Sequence, residues 1–242
     1  MFCFHDTDRG VGVAFTDRHG GVSTPPYDSL NLGTATADDP VSVTRNYDLV
    51  ASAVGVGAGG IALMRQVHGA DVAVLRQPPP PDRLPEVDAL VTDRPGMVLS
   101  VRVADCVPVL LADPSAGVVG CVHAGRAGLA AGVVPDAVQA MRELGARRVR
   151  AWVGPHVCGG CYEVPEQMQE EVAGVVPEAR STTAWGTPAL DLGAGVEAQL
   201  RANDCVVAAA PRRCTREDPD LFSHRRDGDR AGRFAGLVWL RS

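Results

Sequence analysis

The chain has 242 residues, 29 of them acidic and 23 basic, for a formal net charge of −6. All 23 basic residues are arginine. This excludes a Schiff-base lysine, a lysine general base and a Gly-Lys-Ser/Thr phosphate loop, so any bound anion must meet arginine, backbone amides, a helix N-terminus or a metal. The negative balance and the lack of a long basic run argue against nucleic-acid binding. No apolar run approaches the ~18 residues of a membrane span. Seven cysteines, an odd number, follow an N-terminus without a signal-peptide pattern. That combination reads as reduced thiols in cytoplasm, some of them free to ligate metal or act as nucleophile.

Val11–Thr16 alternates as a strand, and residues 17–31 are a loop rich in Gly, Ser, Pro and Asn. Residues 40–54 predict a helix, with Pro40 near its first turn and Val43, Tyr47, Val50 and Val54 at helical spacing. Residues 61–66 and 71–76 read as strands about a turn at His68-Gly69. Four prolines at 78–81 are extended, and too short to divide the chain. Val-rich runs at 87–92, 97–103, 107–112 and 118–122 read as buried strands. Residues 129–144 are helical with a break or a fresh start expected at Pro135; 149–153 is a strand, 165–175 and 196–202 are helices, and 206–210 and Phe234–Leu240 are strands. Strands outnumber helices without regular alternation, which predicts an α+β single domain over residues 1–242.

Polar residues stand where hydrophobic runs stop. His68 follows Gln66-Val67, Asp105-Cys106 follows one Val-rich run, and His123 ends another. Two imidazoles and one thiolate suit Zn²⁺ with an open fourth position. The spacings of 38 and 17 residues match no short metal signature, and such residues also simply pack. Cys158-Gly-Gly-Cys161, with His156 just before it, has C-x-x-C form but no second pair; two thiols in a Gly-rich turn is the plainer reading. Two loops have the composition of anion cradles: Arg18-His-Gly-Gly-Val-Ser23 followed by Ser29-Leu-Asn31, and Ser223-His-Arg-Arg-Asp-Gly228. In the second, Arg225 and Arg226 have an alternative as partners of Asp220, Asp227 and Asp229.

These words occur in order with others: Asp88-Ala-Leu-Val-Thr, Ala104-Asp-Cys-Val-Pro-Val, Val122-His-Ala-Gly, Gly154-Pro-His-Val, Cys161-Tyr-Glu-Val and Gly232-Arg-Phe-Ala-Gly-Leu. Together they resemble the laccase-domain (YfiH-like) family, labelled polyphenol oxidase and also described as purine nucleoside phosphorylases. The resemblance implies two mixed β-sheets between helices, an α/β/β/α layering. It also implies zinc held by His68, Cys106 and His123. The implied activity is phosphorolysis of adenosine, inosine and methylthioadenosine to free base and ribose 1-phosphate, with adenosine deamination beside it. One departure is plain. The family reads H-A-G-W-R-G after the second metal histidine, and here the run is His123-Ala-Gly-Arg126-Ala127-Gly.

On this reading purine nucleosides and phosphate are the partners, met by Arg18, Ser23, Asn31 and Arg225. Cys106, His123 and Asp105 carry the chemistry, with Asp105 either protonating a leaving amine or hydrogen-bonding a ligand histidine. Copper competes for the same donors in vitro. Three rivals stand beside it: a cysteine hydrolase with Cys106 as nucleophile and His123 as base, a copper polyphenol oxidase, and a non-enzymatic family member weakened at Ala127. Six histidines, two already used, are too few for a mononuclear and a trinuclear copper centre.

Overall fold

The Val-rich runs become strands buried on both faces, because each of two sheets is sandwiched between the other sheet and helices. In the computed structural model, residues 1–57 and 59–241 are described; Ala58 and Ser242 of the expected domain lie outside them. One sheet has the order β1 (Phe2–Asp8), β2 (Val11–Thr16), β13 (Phe234–Leu240), β6 (Val98–Val103) and β3 (Ile61–Ala62). The other runs β12 (Val206–Val207), β9 (Arg150–Val153), β7 (Val107–Asp113), β8 (Val118–Ala124), β5 (Ala89–Thr92) and β4 (Val72–Val74). Both are mixed: β3–β6, β12–β9 and β4–β5 pair parallel and the remaining pairs antiparallel. A ribbon of β10 (Arg180–Thr182) and β11 (Pro188–Leu190) stands apart.

The period-2 alternation of the strands assigns their faces. Val13, Phe15, Phe234 and Val238 meet Leu110, Ala112, Cys121 and Trp152 between the sheets. Ala14, Ala235, Leu237 and Trp239 face outward beneath α1 (Pro40–Ala53) with Val50. Val109, Leu111 and Val122 turn the other way, to Val133, Ala137 and Val138 of α3 (Val133–Glu143) and Val196 and Leu200 of α5 (Leu192–Ala202). The α/β/β/α layering expected from the resemblance is thus the observed one. The sheets approach closely at Gly154, where a Cβ would stand 2.3 Å from the Phe15 ring. Overpacking of that kind typically costs about 1–3 kcal/mol. No helix among the described residues is long and apolar enough to cross a membrane.

Several elements differ from their sequence reading. The break expected at Pro135 falls instead at Gly132, whose left-handed φ of +91° ends α2 (Arg126–Ala131) and starts α3. Pro135 sits in the first turn of α3, where a missing N–H is harmless. The strand expected over 61–66 stops at Ala62, because Gln66 completes the pairing with its side chain. Its carboxamide donates to the Arg102 carbonyl at 2.8 Å and accepts the Arg102 N–H at 3.0 Å. The strands expected over 71–76 and 206–210 shrink to Val72–Val74 and Val206–Val207, at opposite edges of one sheet. β1 escapes a hydrophobicity reading because it is an edge strand with residues 5–7 exposed. α5 begins at Leu192, earlier than expected, with Asp191 accepting the Ala194 N–H as N-cap. α4 (Glu166–Ala173) falls within the helix expected over 165–175. Within the second expected loop, α6 (His224–Asp227) is a single turn capped by Ser223.

Candidate functional site

One loop and two strand ends converge. His68 lies between β3 and β4, Cys106 between β6 and β7, and His123 near the end of β8. Their ligand atoms all lie within 4.8 Å of one another, and the two imidazoles meet edge to face at 4.8 Å. His68 has a left-handed φ of +62°, unfavourable for a residue with a Cβ. The compensation comes from Asp88, which the sequence reading quoted but gave no role. Its fully buried carboxylate accepts the N–H groups of Val67, His68 and Gly69 at 3.2, 3.0 and 2.6 Å. It also accepts Nδ1 of His123 at 2.7 Å. One side chain therefore shapes the loop of one imidazole and fixes the tautomer of the other, leaving His123 Nε2 free to ligate. This is the bond to a ligand histidine that the sequence reading offered to Asp105. A carboxylate at the start of a buried strand was the signal for it.

The electrostatics follow from burial against pairing. Burial pushes the Asp88 carboxyl up, but hydrogen bonds from His123 and the Gly69 amide outweigh it and hold it below the usual carboxylate range. Burial likewise opposes ionisation of Cys106. The His123 charge and hydrogen bonds from both imidazoles prevail and bring the thiol down to about 6. Against its own desolvation, His123 is raised to about 9 by Cys106 and Asp88. Metal binding requires the thiolate and takes the place of the imidazolium proton. Gly125 leaves the space: a Cβ there would stand 3.0 Å from His68 Cδ2 and 3.2 Å from Cys106 Sγ. Two imidazoles, one thiolate and an open side fit a zinc ion with one position free for another ligand.

That open side faces a cavity of about 780 Å³, well within the size of small-molecule sites. Arg65, Arg102, Arg225 and Arg233 line it with Asp105 and Tyr162. Arg102 is the one charged residue of β6, donating to Thr34 Oγ1 and the Met64 carbonyl. Its Nε is buried with no partner among the described residues. A lone charge in a buried strand was the signal for it, as the word Gly232-Arg-Phe was for Arg233. The Arg225 guanidinium stacks 4.5 Å from the Tyr162 ring centre and donates to the Glu163 carbonyl at 3.1 Å. Its neighbour Arg226 pairs with Asp227 at 2.9 Å, as the solvated alternative foresaw.

The structure does not bring the other substrate candidates to this cavity. Arg18 donates to the Asp28 carbonyl at 2.9 Å and stacks on Phe222. Ser23 Oγ accepts from Asn46 Nδ2 at 2.9 Å in the interior. Asn31 is buried, accepting the N–H groups of Gly33 and Arg233 and donating to Thr36 and Asp38. It braces a cavity wall from behind. Asp105 does line the cavity, with both oxygens engaged: Oδ1 accepts from the Thr215 hydroxyl and Oδ2 from the Arg225 N–H, each at 2.6 Å.

The family described as multi-copper polyphenol oxidoreductase laccase matches residues 12–241. The chain belongs to that family. A purine nucleoside phosphorylase of Streptomyces coelicolor is 56% identical over 237 residues, 97% of this chain and 98% of that one. Purine nucleoside phosphorylase YfiH of Shigella flexneri is 35% identical, with 96% and 95% covered. The crystal structure of YlmD from Geobacillus stearothermophilus superposes with a TM-score of 0.87 at 31% identity, covering 96% of this chain and 93% of that one. The multi-copper centre in the family's description does not fit the donors here. The metal-capable clusters among the described residues contain just two imidazoles, His68 and His123. A trinuclear copper centre beside a mononuclear one demands many more. Arg126 and Ala127, where the resemblance implies Trp-Arg, stand at the start of α2, Arg126 half-buried and Ala127 exposed. Burial raises the pKa of the Tyr162 hydroxyl, opposed first by the Arg225 charge and only lastly by that of Arg126.

Proposed function

We propose that this chain is a zinc-dependent purine nucleoside phosphorylase. It would convert adenosine and inosine with phosphate to free base and ribose 1-phosphate, and methylthioadenosine to adenine and 5-methylthioribose 1-phosphate, with adenosine deamination as a second activity. The observation that carries the reading is the convergence of His68, Cys106 and His123 with arginines on one cavity. The names of the relatives that are 35–56% identical support it.

Phosphorolysis joins a phosphate oxygen to ribose C1′ while the C1′–N9 bond breaks and its electron pair leaves with the base. The base takes up a proton, so nucleoside and phosphate are fully accounted for. A zinc ion held by His68, Cys106 and His123 would supply net positive charge and Lewis acidity. The protein's own part is positioning. Arg102, Arg225 and Arg233 offer N–H forks for phosphate oxygens in a chain with no lysine. Tyr162, Val157 and Leu192 give the cavity apolar wall for a sugar and base. Asp88 orients His123, and Asp105 acts as a positioning residue that ties α6 over the cavity.

Purified zinc-loaded protein, free of contaminating phosphorylases, should release hypoxanthine from inosine only when phosphate is present, with equimolar ribose 1-phosphate. No release from either adenosine or inosine, with activity appearing on Arg126→Trp combined with Ala127→Arg, would sink the reading for this sequence. The depressed Cys106 thiol beside His123 also has the form of a nucleophile–base pair, which favours a cysteine hydrolase as second reading. Turnover that survives complete chelation and dies on alkylation of Cys106 would establish that one instead.

A further inference from the structure

The C-x-x-C turn has a counterpart that the sequence reading did not see. Cys158 and Cys161 occupy one turn, closed by the Cys161 N–H on the Cys158 carbonyl at 2.9 Å and the Tyr162 N–H on the same oxygen at 3.1 Å. Cys214 and Glu217 occupy another, closed by the Glu217 and Asp218 N–H groups on the Cys214 carbonyl at 3.2 and 3.0 Å. A parallel bridge at His156 and Cys214 lays the two turns side by side. Each turn brings its first and fourth side chains together, and the two pairs face each other. All four ligand atoms lie within 4.8 Å of one another, with Cys161 Sγ 3.4 Å from Glu217 Oε1. The Cys158 N–H points at Cys214 Sγ from 3.4 Å.

We propose that Cys158, Cys161, Cys214 and Glu217 form a second metal site, a structural one for a thiophilic divalent cation such as zinc. Three sulfurs and one oxygen make a closed tetrahedral set, the arrangement of structural rather than catalytic zinc. Zinc–sulfur bonds of about 2.3 Å put neighbouring sulfurs ~3.8 Å apart in a tetrahedron, inside the observed spread. Soft thiolates select zinc over magnesium or calcium. An entry path exists, since Cys158, Cys214 and Glu217 line a second cavity of about 1010 Å³ while Cys161 is buried. His156, which the sequence placed with the cysteines, turns away: its Nδ1 bonds the Gly154 carbonyl at 2.8 Å and Nε2 packs on Gly193. A Cys158–Cys161 disulfide would engage only two of the four convergent groups.

The consequence reaches the first site. Tyr162 follows Cys161 and lines the first cavity beneath Arg225. Thr215 follows Cys214 and holds Asp105. An ion at the second site would fasten both walls to one point, whatever reaction the first site performs.

The test uses the full chain, stripped by chelation and reloaded with Zn²⁺ alone. The wild type should take up two zinc ions per chain, and Cys214→Ser one. The double variant His68→Ala with Cys106→Ser should also bind one ion. With Co²⁺ as probe, that variant should show thiolate-to-cobalt charge-transfer bands of three-sulfur intensity. Zinc should slow amide exchange at Cys161, Tyr162, Glu217 and Asp218 in the same protein. A double variant that takes up no zinc, or shows none of those bands, overturns the proposal. So does a Cys158–Cys161 disulfide found by peptide mapping of freshly purified protein. Should Cys214→Ser fail to fold, the double variant decides by itself.

Discussion

Two clusters of metal-ligating side chains sit on this fold, and they are built in opposite ways. His68, Cys106 and His123 come from one loop and two strand ends, have both histidines braced by the buried carboxylate of Asp88, and open onto an arginine-lined cavity. Cys158, Cys161, Cys214 and Glu217 come from two tight turns, are braced by backbone hydrogen bonds, and use all four positions on themselves. An open three-donor set leaves a position for chemistry, and a closed four-donor set leaves none. The contrast also shows where each set gets its precision. Turns place ligands by local geometry, whereas strand ends need a further side chain to aim them.

The sharpest way to break this contrast is Asp88→Asn. The substitution keeps the size but disturbs both the His68 loop and the His123 tautomer. Zinc affinity at the first cluster should fall about 10–100-fold, with kcat/KM falling in step, while the Cys-rich cluster keeps its ion. Competition with a chelating dye reads both sites, and unchanged affinity at the first would mean that Asp88 does not aim it.

A smaller effect separates cavity arginines from scaffold arginines. Arg102→Met should raise the KM for phosphate roughly tenfold, the scale of one lost charge-assisted hydrogen bond. Arg18→Met should leave that KM within about twofold and instead lower the melting temperature, because it removes the stacking on Phe222. Steady-state kinetics at varied phosphate on both variants decides, and the reverse pattern would return the phosphate to the Arg18 loop.

The smallest functional effect is expected at the far end of β7. Cys106 precedes this strand and Asp113 ends it. Asp113 is also buried, and burial pushes its carboxyl up. The N–H groups of Arg148, Arg147 and Ala116 and the Ser115 hydroxyl prevail, bringing it down to about 2. A folded value below the unfolded one stabilises above the unfolded pKa, near 3.8, and that stability disappears as pH falls through the folded value, near 2. Asp113→Asn should therefore cost roughly 2 kcal/mol at pH 7 and progressively less as pH drops from 4 to 2. Zinc content and activity should not change. Denaturant melts at several pH values check this, and a loss of zinc would show that Asp113 is coupled along β7 to the Cys106 end.

Much of the fold was legible because buried strands announce themselves by Val-rich runs and α1 by its spacing. The missed elements share a cause: their hydrogen bonds are made by groups that hydrophobicity does not report. Gln66 replaces a strand with a carboxamide, Gly132 breaks a helix with its φ, and α6 is held by the Ser223 cap. The ligand triad was visible as polar residues at strand ends, and the resemblance singled it out. Its support was not, because Asp88 lies 35 residues from His123 and acts only once β5 and β8 pair. Arg18, Ser23 and Asn31 looked like an anion cradle by composition, yet their polar atoms fold inward to build the loop.

By itself the sequence determined the chemistry that could be present. With no lysine, anions fall to arginine, backbone amides, a helix N-terminus or a metal. With six histidines, a trinuclear copper centre beside a mononuclear one is excluded. Only the tertiary structure decided which of the 23 arginines face the cavity and which of the seven cysteines face one another. Composition is a property of the chain. The direction of a side chain depends on which strands pair and which backbone groups claim its hydrogen bonds, and those partners are distant in sequence.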